Sequence, residues 1–146
     1  MKRTIQSILI GVIALLTNVA CESQTKGDII EIRYGSQFGM CEGYCYSEVV
    51  YTRESEKSIS KAWGDTTLNP TKVDTKEISK TKWSKLIHSV DLNDFYSLEK
   101  TIGCPDCADG GASWIEIKTS EKSYKVNYEY GNIPEPLNKL IEEIKN

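Results

Sequence analysis

The chain is predicted to fold as an α+β domain: a mainly antiparallel sheet of about five strands, two hairpins plus an N-terminal strand, covered on one face by two helices. Three observations predict it. Two pairs of segments alternate apolar and polar residues around short polar turns. One segment repeats apolar residues at helical spacing behind a capping residue. A second such stripe closes the chain after two prolines. With 146 residues, one domain can bury a core of its own.

The N-terminal strand is read from "IIEIRYG", where Ile30, Ile32 and Tyr34 alternate with Glu31 and Arg33. The first hairpin runs from "CYSEVVYTRE" through a polar turn, "SEK", into "SISKAWG". "DTTLNPT", residues 65–71, is loop, with its Asn-Pro pair. A helix follows, with Asp74 or Thr75 as N-cap, Glu77 in the first turn, and Trp83, Leu86, Ile87 and Val90 on one face. Leu92, Phe95 and Leu98 form a short apolar anchor behind it. "SWIEIKT" and "SYKVNYEY" make the second hairpin, again around Ser-Glu-Lys. In the closing helix Leu137, Leu140, Ile141 and Ile144 form the buried stripe, and Pro134 and Pro136 are tolerated in its first turn.

Composition narrows the function classes. A net charge of −3 gives no basic footprint for nucleic acid. The strands come in hairpins without a Gly-rich phosphate loop, which argues against a nucleotide fold. No cofactor is called for.

The first twenty residues differ in kind. Lys2 and Arg3 precede the unbroken apolar run "ILIGVIALL", residues 8–16, which has the layout of an export signal and is too short to span a bilayer permanently. Val19, Ala20 and Cys21 then resemble the bacterial lipoprotein pattern, in which a small residue precedes a cysteine that becomes diacylated; Asn18 stands where that family usually has an aliphatic residue. The resemblance implies a signal peptide at 1–20, a lipid on Cys21, a short polar tether at 21–27 ("CESQTKG") and one domain at 28–146. It places the chain in the cell envelope, lipid-anchored to a bacterial membrane. Removing residues 1–20 takes away Lys2 and Arg3 and no acid, leaving a formal charge of −5, so the lipid rather than basic adhesion would hold the membrane.

Four further cysteines stand in two loops: Cys41 and Cys45 in "CEGYC", Cys104 and Cys107 in "CPDC". An oxidising compartment favours disulfides, with three connectivities open, over a four-thiolate zinc site. A redox centre of C-P-D-C spacing would need a helix N-terminus to lower the thiol pKa, but "ADGGASW" leads through two glycines into a strand. "CEGYC" running into "YSEVVYT" is similar to a small, functionally uncharacterised envelope lipoprotein domain family, which opens on Cys-x-Gly-x-Cys and continues as hairpin, helix, further strands and closing helix. The likeness extends over nearly all of residues 28–146, with Cys41, Gly43 and Cys45 as its motif and Tyr46 in place of the usual proline. It implies a Cys41–Cys45 bridge, and with it Cys104–Cys107. It implies no activity.

Other chemistry is sparse. His88, the one histidine, lies off the apolar stripe and leaves little material for a triad or a histidine-rich metal site. Asp106 and Asp109 do not fit a calcium loop and read as turn formers. No catalytic residue or metal ligand is assigned. The aromatics Trp63, Trp114, Tyr124, Tyr128 and Tyr130 are candidates for a platform that stacks on a sugar or an envelope protein; the alternative is that they pack beneath the helices. The expected function is thus a non-catalytic envelope lipoprotein that binds a protein or glycan. An envelope enzyme, hydrolytic or thiol-dependent, is the alternative.

Overall fold

Period-two burial begins at Ile32, which is fully buried between Glu31 and Arg33 on the other face of the strand. The computed structural model describes residues 28–146; the export segment, Cys21 and the tether lie outside the described residues. In chain order the elements are β1 (Ile29–Gln37), β2 (Tyr44–Thr52), β3 (Ser55–Ala62), β4 (Lys72–Glu77), α1 (Lys80–His88), α2 (Leu92–Ser97), β5 (Thr101–Ile102), β6 (Ala112–Thr119), β7 (Ser123–Glu129) and α3 (Asn138–Lys145). All seven strands join one sheet of order β4-β3-β2-β1-β6-β7-β5. Its pairings are antiparallel except β5 with β7.

The helices lie on one face. There Ile32, Tyr51, Ile115, Ile117, Val126 and Tyr128 of the sheet meet Trp83 and Leu86 of α1, Leu92 and Phe95 of α2, and Leu137, Leu140 and Ile141 at the closing helix. Ser79 caps α1, its hydroxyl accepting from the Lys82 N–H at 3.1 Å. Asp91 caps α2 by accepting from the N–H groups of Asn93 and Asp94. The prolines open a 3₁₀ turn, Glu135–Leu137, that leads into α3.

The expected fold class is observed, with corrections of detail. Among the described residues there are seven strands rather than five: Asp74–Glu77, expected to open the first helix, belong to β4, and β5 lies in the stretch expected to be cysteine loop. Every residue of β4 is exposed, so no buried face writes a period of two into its sequence. β5 has two residues and is carried by its pairing to Thr101–Asn127 and Ile102–Tyr128. Among the described residues there are three α-helices rather than two: the Leu92–Phe95 anchor is itself helical. Glu77 ends β4, and the N-cap is Ser79 instead of Asp74 or Thr75.

The first "SEK" is not a turn either. Ser55 already begins β3, and the turn is Arg53–Glu54. Both hairpins instead rely on a threonine: Thr52 Oγ1 accepts from the N–H groups of Glu54 and Ser55, and Thr119 Oγ1 from those of Glu121 and Lys122. Such a hydroxyl imitates a backbone acceptor and fixes the turn two to three residues on.

Candidate functional site

The register of the sheet places a row of aromatics on the face away from the helices. Gly35 of β1 stands between Glu48 of β2 and Trp114 of β6. Lacking a side chain, Gly35 lets the Trp114 indole lie flat across β1; a Cβ there would collide with the six-membered ring. Trp114 reaches Tyr46 of β2 at 5.3 Å between ring centroids, and Tyr46 reaches Trp63, just past β3, at 6.0 Å. The Lys125 ammonium sits 4.6 Å over Trp114 and that of Lys61 4.8 Å over Tyr46, in cation–π contact. Trp114 is only 4% exposed under these covers, whereas Trp63 is 50% exposed.

Charge borders the row. Arg33 Nε donates to Glu31 at 2.8 Å, and its guanidinium stands 3.6 Å from Glu48. The hydrogen bond to Glu31, opposed by burial and helped by Glu48 and Glu116, raises the Arg33 pKa. Burial, reinforced by Glu48, pushes the Tyr46 phenol up to about 12. On the helix face, burial with help from Glu56 pushes Tyr51 to about 12 as well.

These two tyrosines set an alkaline limit. Unfolded, each ionises near 10. Between that pH and about 12 the unfolded chain therefore binds fewer protons than the native one. Their contribution to stability is intact below pH 10 and is lost as the pH rises through 12. Thermal unfolding followed with tyrosinate absorbance is expected to show the melting temperature falling from pH 10 upward; a flat profile would show these phenols to be solvated.

The row ends where both cysteine loops meet. Trp63 Nε1 donates to the Phe38 carbonyl at 2.7 Å, and the Phe38 ring packs edge-on against Tyr130 at 4.7 Å. Gly111, at φ +83°, lies beneath the Phe38 ring, where no side chain fits. Cys41 is bonded to Cys45 and Cys104 to Cys107, with Cα–Cα separations of 5.7 and 5.5 Å. The two loops are tied together where Gly39 N–H donates to Asp106 Oδ1 at 3.3 Å, and the second is tied to β7 where Cys104 N–H donates to Glu129 Oε1 at 2.7 Å. Asp106, Ala108 and Asp109 all have positive φ, so the second loop is a tightly wound turn; a single irregular 3₁₀ turn, Cys107–Asp109, leads on to β6, and no α-helix follows Cys107 to stabilise a thiolate.

The five predicted aromatics therefore do not share a face. Trp63 and Trp114 belong to the open side, and Tyr130 to the loop end. Tyr124 and Tyr128 lie on the helix side: Tyr124 packs on Phe95 at 5.6 Å and its hydroxyl donates to Leu98 O at 2.7 Å, while Tyr128 is 1% exposed and its hydroxyl has no hydrogen-bond partner among the described residues. Parity separates them: in β7, Tyr124 and Tyr128 alternate in step with Val126, and in β6, Trp114 alternates with Glu116 against Ile115 and Ile117. Tyr46 and Phe38 were missed. Tyr46 is in step with Glu48 and Val50 of β2, a pattern that could have found it.

Elsewhere, His88 is exposed and its Nδ1–H donates to the Ser84 carbonyl of its own helix at 2.6 Å. It edges a groove of about 670 Å³ that also includes Asp91, Asp94, Glu135 and Lys139. Asp91 serves there as a helix cap. Among the described residues, no three His, Cys, Asp or Glu side chains converge as a metal site requires. Comparison with protein-family models and with curated proteins finds no match for the chain.

Proposed function

We infer that this chain is a lipid-anchored envelope protein whose domain is a binding module, engaging a protein or glycan through the surface around Trp63, Tyr46 and the cysteine loops. The observation that carries this reading is the fixed and half-exposed Trp63. Its indole N–H is committed to Phe38, so the ring is held in place before any partner arrives, and the loops beneath it are pinned by two disulfides. Met40 and Tyr130, 76% and 52% exposed, extend the apolar surface.

The position of the chain entry supports the same reading. Asp28 accepts from Ser120 N–H at the turn end of the sheet, while the cysteine loops occupy the far end of β1, roughly 30 Å away for nine extended residues. A lipid on Cys21, joined through residues 21–27, would set the turn end toward the bilayer and the aromatic end away from it.

Mass spectrometry of envelope-extracted protein should find a mature chain starting at acylated Cys21. Pull-down from native envelopes with the wild type, Cys21→Ser and Trp63→Ala then tests the site. Trp63→Ala is expected to lose the captured partner while remaining folded, with a modest drop in melting temperature from the lost Phe38 hydrogen bond and Tyr46 contact; unchanged capture would exclude this surface.

A further inference from the structure

The two edges of the sheet are guarded differently. β5 offers two residues, whereas β4 offers six, Lys72–Glu77, all exposed and in unbroken register with β3 from Ser60–Lys72 to Ser55–Glu77. Neither a bulge nor a proline interrupts that outer row of backbone donors and acceptors, which is a template for another strand. Charge decides which strand it accepts. "KVDTKE" alternates sign along one face, with Lys72, Asp74 and Lys76 in step and Val73, Thr75 and Glu77 on the other.

Two copies of one edge can hydrogen-bond antiparallel only if residues of like parity stand opposite, because outward amides alternate along a strand. The twofold axis must then pass through a residue. An axis at Asp74 sets Asp74 on Asp74 and Lys72 on Lys76, which is repulsive. An axis at Val73 or Lys76 leaves only three strand residues overlapping, and Lys76 would also face itself. An axis at Thr75 overlaps five residues, Val73 to Glu77. It faces Asp74 with Lys76 twice and sets threonine on threonine, both favourable cross-strand pairs.

We propose that β4 pairs with β4 of a second copy of this chain, antiparallel about a twofold axis through Thr75, with the helices of both copies on the same side of a continuous sheet. The pairing is independent of the lipid and of the aromatic surface. Lys76, already 2.9 Å from Glu56 of its own chain, would bridge that carboxylate and Asp74 of the second copy.

The test uses the full chain in excess detergent. Sedimentation over a wide concentration range should show a monomer–dimer equilibrium, and Asp74→Lys, which turns two attractive pairs repulsive, should weaken it roughly tenfold without changing the circular dichroism spectrum. Under mild oxidant Thr75→Cys should form an intermolecular disulfide and Val73→Cys should not. A monomer at every concentration, an unaffected Asp74→Lys equilibrium, or cross-linking of Val73→Cys at least as efficient as that of Thr75→Cys would each overturn the proposal. So would a dimer abolished by Trp63→Ala, which would place the contact on the aromatic surface.

Discussion

Replacing Phe95 with alanine is expected to destabilise the domain by about 3–5 kcal/mol, the usual cost of deleting a buried phenyl ring. Phe95 is 1% exposed, and it joins α2 to the sheet through edge-on contact with Tyr124, beside a tilted contact with its helix neighbour Tyr96. α2 has only six residues, too few to hold helical geometry without packing, so the ring that anchors it also holds its shape. Since a domain has about 5–15 kcal/mol in total, the variant should sit near the threshold of folding. Chemical denaturation should show a midpoint far below wild type with an unchanged slope. A loss under 1 kcal/mol, roughly what conservative repacking costs, would mean that the aromatic cluster closes over the gap.

Gly35→Ala should cost less, about 1–3 kcal/mol, through the opposite fault of overfilling. Alanine is ordinarily better than glycine inside a strand by about 0.5–1 kcal/mol, because it loses less backbone entropy. Here that gain is outweighed, since the new methyl group would occupy the space of the Trp114 indole. The ring must lift off β1, taking with it the contacts to Tyr46 and Lys125. Tryptophan emission should shift to the red and become more accessible to quencher. Gly64→Ala, where no atom of the described residues other than its chain neighbours lies within 4 Å of the added carbon, is the matched control and should leave both readouts unchanged. Equal behaviour of the two variants would disprove the close approach of Trp114 to β1.

What could be read from sequence was whatever has a buried face. Ile32, Ile115, Ile117 and Val126 write their alternation plainly, and the hairpins built on them were legible. Trp83 and Leu86 likewise marked α1, although Val90 lies past its last residue. β4 was illegible for the same physical reason: an exposed edge strand has no side to hide, so its Asp, Thr and Glu resemble the polar start of a helix. The repeated Ser-Glu-Lys drew attention to shared turn chemistry, but the device common to the hairpins is Thr52 and Thr119. For the surface, the residue types were visible and their sides were not assigned. Trp114 is a buried residue on the open side, covered by Tyr46 and Lys125 rather than by a helix, and that cover depends on a neighbour 68 positions away in the chain.

The first of the described strands to leave the ribosome occupies the middle of the sheet. β1 can zip at once to β2, next to it in the chain, but its other side waits for β6, with Gln37 meeting Ala112 and Ile29 meeting Thr119. Synthesis therefore passes through a stage in which a half-built meander carries an open seam at β1, hydrophobic and ready to accept a stranger's strand. Of the strand pairings described, β1 with β6 joins the residues farthest apart in the chain, so its closure carries the largest entropic cost among them. A chain stopped before residue 112 would be left with the seam permanently open, and its fate would be aggregation or proteolysis.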